Sequence, residues 1–332
     1  SVIIPVNIDK KLALHVGYGK YSNLVMDDIS GELLAKNRTL RINNFNAITE
    51  AGDLSLSALY STRSKDDIHT GFDLELNNVQ VDKLISIIPS VDTLLPMLRS
   101  FEGILNCELA ATAKMDTAMN ILLPSLNGVA RIKGKDLVLL DGETFTKIAK
   151  MLRFKNKDEN IIDSISVEML MSNNKIEMFP FLLKMDRYQA AASGVQNLDM
   201  SFNYHISVIK SPLPLRLGVN IMGNFDDMKF KLGKPKYKNA NIPSYTKVID
   251  ESRINLRKSI IDIFDKGTNN NITNIEVVKR DSTMIKDLEV TPVEELSEEE
   301  NAILKEEGII PKPAADKPAP IAVLPEEDNL LL

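Results

Sequence analysis

The chain has 332 residues, 44% of them hydrophobic, a net charge of −6 and a single cysteine, Cys107. One cysteine excludes an intrachain disulfide and a cysteine-based metal site, and no run approaches the ~18 apolar residues of a membrane span, so the chain as it stands is expected to be soluble. The charge is split: from Asp287 onward thirteen acids and three bases give −10, leaving +4 on residues 1–286, too diffuse for a nucleic-acid footprint, and no nucleic-acid partner is expected.

The chain opens at Ser1, and apolar residues soon alternate with polar ones. Leu12, Leu14 and Val16 form the first set, Leu54, Leu56, Ala58 and Tyr60 the next, then Phe72, Leu74 and Leu76. Period-two alternation predicts strands with one apolar and one polar face. "VDKLISIIPSVDTLLPMLRSF" (81–101) changes to helical spacing, with Leu84, Ile87, Ile88, Leu94, Leu95, Leu98 and Phe101 on one side and Pro89 and Pro96 cutting it into short pieces. "ILNCELAATAKM" (104–115) returns to alternation. Leu105, Cys107, Leu109, Ala111, Ala113 and Met115 share one face; Asn106, Glu108, Thr112 and Lys114 fall on the other, expected to be wet. Such a strand extends roughly 40 Å. Cys107 reads as a small buried hydrophobe rather than a reactive thiol.

"GETFTKIAKML" (142–152) predicts a second short helix. Ile165, Val167, Met169 and Met171 alternate, as do Phe202, Tyr204, Ile206 and Val208, and Leu215, Leu217, Val219 and Ile221. Turn signals separate the runs at 43–44, 51–53, 64–67, 172–174, 211–214 and 223–227. A weak repeat joins "GFDLELNNVQVDKLISII" from Gly71 to "GVARIKGKDLVLLDGETFTKIAKML" from Gly128: a glycine, a strand, an Asn-Asn or Lys-Asp pair, then a helix. "SYTKVIDESRINLRKSIIDIFDK" (244–266) is the best helix, capped by Ser244, ended by Gly267, with Ile249, Leu256, Ile260, Ile263 and Phe264 in one stripe. Beyond it, "EELSEEENAILKEEG" (294–308) predicts a transient helix and "PKPAADKPAPIAVLPEED" (311–328) a disordered tail.

The sequence carries no signature of catalysis, and neither an enzyme, a cofactor nor a metal site is expected. His15, His69 and His205 are far apart, and His205 is expected on the wet face beside Tyr204 and Ile206. The acids of "KDEN" (157–160) and Asp226 and Asp227 read as solvated turn residues. The chain has no Trp and 5% aromatics, which argues against stacking platforms for sugars or bases. Many strands with polar turns predict a mostly β, antiparallel fold with a few short helices. Alternation leaves two readings of the apolar faces: a closed core, or an open surface. The helix 244–266 either caps the open sheet or lies on a membrane, favoured there by Lys247, Arg253, Arg257 and Lys258 and opposed by Asp250, Glu251, Asp262 and Asp265.

"RYQAAASGVQNLDMSFNYHISVIKSP" (187–212), with "GVARIKGKDLVLLDGETFTKIAKML" upstream, "PLRLGVNIMGNFDDMKFKLG" (214–233) downstream and the strands of 13–60, resembles the C-terminal region of AsmA-like proteins. The resemblance covers residues 1–235. It implies a long, curved antiparallel sheet forming an open hydrophobic groove. It also implies a place in the periplasm of a diderm envelope, inner-membrane anchorage through a segment absent from this chain, and movement of phospholipid between inner and outer membrane in support of outer-membrane integrity. The division is then a β-groove over 1–235, a capping or interfacial helix over 236–267 and an acidic disordered tail over 268–332. The groove candidates are Leu105, Cys107, Leu109, Met115, Phe72, Leu74, Leu76, Val167 and Met169. The partners would be phospholipid acyl chains, one or both membranes and other envelope proteins. The alternative is a scaffold of an envelope complex with a closed β core.

Overall fold

A computed structural model describes residues 2–21, 24–87, 98–99, 101–139, 161–185, 188–211, 214–224, 226–266, 272–290 and 294–309. The predicted helix at 142–152 and the acids at 157–160 lie outside these residues. The chain divides into two compact units, Ser1–Glu295 and Leu296–Leu332.

The first unit is built on a single antiparallel sheet of thirteen strands: β1 (Asp9–Tyr21), β2 (Leu24–Lys36), β3 (Thr39–Thr49), β4 (Gly52–Ser64), β5 (Asp67–Gln80), β6 (Phe101–Met115), β7 (Asn127–Leu139), β8 (Ile161–Ser172), β9 (Lys175–Met185), β10 (Tyr188–Asn197), β11 (Phe202–Lys210), β12 (Gly218–Gly223) and β13 (Met228–Gly233). Each strand pairs with its neighbours in sequence, so β1 and β13 are the two edges and the sheet is curved but not closed. The mostly β, antiparallel architecture expected from the alternation is therefore present, and of the two readings that alternation left, the sheet is the open one.

Tight turns and bulges come from Asn and Asp, whose short polar side chains tolerate left-handed backbone. Asn173 and Asn174 (φ 51° and 61°) make the β8–β9 turn. The pair at 43–44, expected as a turn, lies inside β3, where the register slips between Ile42 and Phe45 and Asn44 has φ 48°. Asn78 (φ 57°) and Asp136 (φ 51°) occupy the Asn-Asn and Lys-Asp positions of the weak repeat. The repeat thus marks a strand with a left-handed irregularity, and such bulges bend the sheet and sharpen its twist.

Helix α1 (Val81–Ile87) follows β5, and Val81 and Leu84 pack over Leu76, Val79 and Leu105. Helix α2 (Thr246–Lys266) buries Ile249, Leu256, Ile260, Ile263 and Phe264, the stripe read from the sequence, together with Ser252. Against it lie Leu59 of β4, Ala110 of β6, Val129 of β7, Leu170 of β8 and Phe179 of β9. The helix therefore lies on a face of the sheet, where the sequence reading offered its open end or a membrane. Its length, ~32 Å at 1.5 Å per residue, spans about six strand spacings of ~4.8 Å. It runs across the strands from Phe179, stacked on Tyr245 at 4.0 Å, to Arg41 of β3, whose guanidinium lies 5.9 Å from the Phe264 ring.

Part of the expected tail is packed. Helix α3 (Ser282–Leu288) is capped by Asp281, and Ile272, Val277, Met284 and Leu288 are buried. These four apolar residues, spaced through 272–288, bury enough surface to hold a segment that composition alone reads as solvated. Arg280 adds an ion pair to Glu177 and a 2.7 Å hydrogen bond to Ser172. In the second unit, helix α4 (Glu298–Glu306) carries a complete capping box from Ser297 and Glu300.

The clearest lock on this returning segment is steric. A Cβ on Gly71 would come within 2.3 Å of Ile272 Cδ1. Gly71→Val should therefore expel Ile272, cost about 1–3 kcal/mol by overpacking, and make trypsin cut at Lys279 and Arg280, which the parent protein should resist. Cleavage rates at these two sites, read by mass spectrometry, check this.

Candidate functional site

Hydrogen-bond register places apolar residues of eleven successive strands in one lateral row: Phe45, Leu56, Leu74, Leu109, Ala130, Met169, Met178, Gly194, Tyr204, Ile221 and Phe230. Ten strand spacings make this row about 50 Å long. A second row two residues away holds Leu54, Leu76, Cys107, Ile132 and Val167. Eight of the nine predicted groove residues pack in one cluster on this face: Leu105, Cys107, Leu109, Phe72, Leu74, Leu76, Val167 and Met169. Met115 belongs instead to a smaller corner cluster with Ile4, Tyr60 and Ile68.

The eight are not equivalent. Leu76 and Leu105 lie in the part of the cluster that α1 joins, and Val167 and Met169 are buried among neighbouring side chains, so these four are core residues of the fold. Phe72, Leu74, Cys107 and Leu109 are half-buried. Burial pushes the Cys107 thiol up to about 12, and the adjacent Glu108 carboxylate adds to the shift, so the thiolate is scarce at neutral pH, in keeping with a small hydrophobe.

The opposite face, expected to be wet, is covered. Glu75, Glu108, Arg131 and Glu168 form their own cross-strand row, with two like charges, Glu75 and Glu108, directly opposite. Such a pair repels, and Arg253 of α2 relieves it: its guanidinium reaches Glu108 at 3.2 Å, Glu75 at 3.2 Å and Asp73 at 2.9 Å. Arg257 also pairs with Asp73, whose side chain is 0% exposed. Arg131 is 4% exposed and bonds Glu108 (2.7 Å), Glu168 (3.2 Å), Asp250 (2.9 Å) and the Thr246 carbonyl (3.0 Å). Burial pulls the Arg131 pKa down, but hydrogen bonding to Asp250 and the charges of Glu108, Asp250 and Glu168 hold it above its ordinary value. Glu168 accepts from Tyr245 N–H (3.1 Å) and Thr246 O–H (2.7 Å), which places a carboxylate at the α2 N-terminus, where the helix dipole favours it. Ser244, expected as the cap, bonds the Thr246 hydroxyl instead. Of this cluster, sequence reading placed Glu108 on a polar strand face and named Arg253, Arg257 and Asp250 on the helix, but did not bring them together or single out Asp73, Arg131 or Glu168; the usable signal was charge alternating within a strand, as at Asp73 and Glu75 or Arg131 and Lys133.

His205 is likewise buried, not wet. Its Nδ1 lies 2.6 Å from Asn220 Oδ1 and its Nε2 2.8 Å from Ser207 Oγ. This is the order of a nucleophile, base and orienting group. However, Ser207 Oγ accepts from Tyr237 N–H (2.9 Å) and His205 Nε2 from Lys236 N–H (3.2 Å), and Ser207, His205 and Asn220 are all buried. The three residues hold the segment after β13 to the sheet. Lys236 continues the tether through its ammonium, which donates to the carbonyls of Asp287 (3.1 Å) and Glu289 (2.9 Å) at the end of α3.

Among the described residues no group of three His, Cys, Asp or Glu side chains is arranged to hold a metal ion, and no helix is long and apolar enough to cross a membrane. Comparison with protein families, curated proteins and solved structures gives no significant match, and nothing in it identifies the AsmA-like family.

Two outcomes follow from the covered face. Glu108→Lys, harmless on a solvated strand face, should here set a third cation against Arg131 and Arg253 and destabilise by about 3–5 kcal/mol; Arg253→Met, which leaves Asp73 to Arg257 alone and removes the cation between Glu75 and Glu108, should destabilise in the same direction by less; chemical denaturation of each variant measures this. Burial holds the His205 imidazole neutral, with its pKa below the ordinary 6.5, and nearby Lys236 acts in the same direction. The unfolded chain takes up a proton at the ordinary value, so this contribution is complete above pH 6.5 and is lost as pH falls towards the lowered folded pKa. Between pH 7.5 and 5.5 the parent protein should lose more thermal stability than His205→Gln, the slope rather than the level being the readout.

Proposed function

We propose that the apolar face is a lipid-binding surface and that the protein is a non-enzymatic carrier of phospholipid in the bacterial cell envelope. The observation that carries this is the continuous apolar row across eleven strands of an open sheet whose other face is already occupied by α2. A closed β core, which the scaffold alternative requires, is opposed by the unpaired edges β1 and β13.

Acyl chains would lie along the row, across the strands, with each buried methylene worth about 0.8 kcal/mol. Leu74, Leu109, Tyr204 and Ile206 offer half-buried side chains for that contact. Similar residues recurring from strand to strand make neighbouring positions nearly equal in energy, which suits sliding rather than capture at one site. The periplasmic setting, inner-membrane anchorage and transfer towards the outer membrane rest on the AsmA-like resemblance.

Paired substitutions test the reading. Leu105→Asp puts a charge into the buried part of the face and should destabilise by several kcal/mol. Leu109→Asp sits in the half-buried row, where its carboxylate keeps water. It should fold with a modest drop in melting temperature while co-purified phospholipid, measured by native mass spectrometry, falls sharply. A Leu109→Asp protein that folds and keeps its full lipid load, or a parent protein that carries no lipid, overturns the proposal.

A further inference from the structure

Antiparallel pairing puts the β2–β3, β4–β5, β6–β7, β8–β9, β10–β11 and β12–β13 connections at one end of the strands, and residues 2–8 enter β1 at this same end, since Asp9 pairs with Lys36. The entering segment is pinned. Ile4 N–H donates to Thr62 Oγ1 at 3.2 Å, Tyr60 O–H donates to the Val2 carbonyl at 2.9 Å, and Arg38 N–H donates to the Pro5 carbonyl at 3.3 Å. Ile4 is buried against Tyr60 and Ile68. The anchoring turns Val2, Ile3 and Val6 outward, 56%, 47% and 48% exposed.

Beside these aliphatic side chains stand Arg38, Arg63 and Lys65, all exposed at the adjoining turns, with Arg38 Nη1 donating to the Arg63 carbonyl at 3.2 Å. The acids beside them are Asp66 and Asp9, both exposed, and Asp67, half-exposed and bonded to His69. Further along the rim, Met119 and Leu122 of the β6–β7 connection and Met200 of the β10–β11 turn are also exposed. Asp116 accepts from the N–H of Ala118 and Asn120, and Asp199 from the N–H and hydroxyl of Ser201, so both stay ionised, and Asp226 and Asp227 of the β12–β13 turn are exposed; the cations are concentrated at the β2–β3 and β4–β5 turns beside residues 2–8. Met119 and Met200 have φ 69° and 68°, a conformation costly for a long side chain.

We infer that this rim docks on an anionic bilayer surface, with Val2, Ile3 and Val6 entering the headgroup–acyl boundary and Arg38, Arg63 and Lys65 meeting lipid phosphates. Aliphatic side chains beside cations fit such a surface. The inference goes beyond the groove: it concerns where the protein sits, whatever the apolar face carries.

The test is co-sedimentation of the full chain with phosphatidylcholine vesicles, with and without phosphatidylglycerol. The parent protein should bind the anionic vesicles and release them at high salt. Arg63→Ser with Lys65→Ser should weaken binding by roughly 30-fold, from two bases at ~1 kcal/mol each. Val2→Ser with Ile3→Ser and Val6→Ser should also weaken it, with the melting temperature unchanged in both variants because every altered side chain is exposed. Leu109→Asp should bind vesicles as the parent does. Absence of binding, equal binding to neutral vesicles, or binding unaltered in both rim variants overturns the inference. So does a dimer that the aliphatic triple variant dissolves while vesicles are ignored. Lipid that co-purifies without vesicle binding sinks the rim and leaves the groove; vesicle binding without co-purified lipid does the reverse.

Discussion

The contact that orders the rest of the molecule is the one between Arg253 and Arg131 and the carboxylates of the central strands. Asp73, Glu75, Glu108 and Glu168 project from β5, β6 and β8 on one face. On a bare sheet Glu75 would stand opposite Glu108 with nothing between. Arg131 within the sheet and Arg253 from α2 make this row neutralisable, and they do so only if α2 lies across the strands with its N-terminus near Glu168. Desolvation of these charges offsets much of their attraction, so the cluster adds little net stability over an apolar contact of the same size. Its contribution is position: the ion pairs fix which turn of α2 meets which strand, and the apolar stripe from Ile249 to Phe264 supplies the burial.

That arrangement decides the fate of both faces. A thirteen-strand meander has two surfaces and two edges, and α2, Ile272 and α3 cover the charged surface. Chain and ions are thus spent on the side that sequence marks as polar, while among the described residues α1, Leu98, Leu126 and the corner at Ile4 pack against the apolar side. The half-buried stretch of the apolar side lies on β5 and β6, at Phe72, Leu74 and Leu109, whereas Ala130, Met169 and Met178 in the middle of the row are buried. Edge β1 carries Lys10, Lys11 and Lys20, and β13 is short with Lys229 and Lys231, both familiar brakes on edge-to-edge association.

What was legible in the sequence was parity. The alternating runs became strands, except that Leu215 and Leu217 of the run 215–221 precede β12, and the α2 stripe was read residue for residue, because a period of 2 or 3.6 is a local property. What lies over a face is not local. Glu108 and His205 were assigned to the correct side of their strands and the wrong surroundings, since alternation separates the faces without saying what comes back to cover them. The returning segment 272–290 was missed for the same reason: its four buried residues are too far apart to show a period. The Asn-Asn pair at 43–44 was misplaced because a left-handed residue serves a turn and a bulge equally well. Of the groove candidates, sequence gave the face but not the depth; the distinction between Leu105 and Leu109 depends on α1, which folds back from the end of β5.

The chemistry of the apolar row constrains what it can do. Its side chains are mainly aliphatic, with Phe45, Tyr204 and Phe230 near the two ends and none in the middle. A row whose middle has neither rings nor polar side chains offers little means of distinguishing one acyl chain from another, and selectivity among lipids has to arise where headgroups meet charge. In this molecule exposed charge beside exposed aliphatic groups is found at the rim formed by Val2, Ile3, Val6, Arg38, Arg63 and Lys65. A face that binds chains without preference and a rim that meets phosphates are complementary demands, and the antiparallel topology satisfies both because strand faces and strand ends are built from different residues of the same strands.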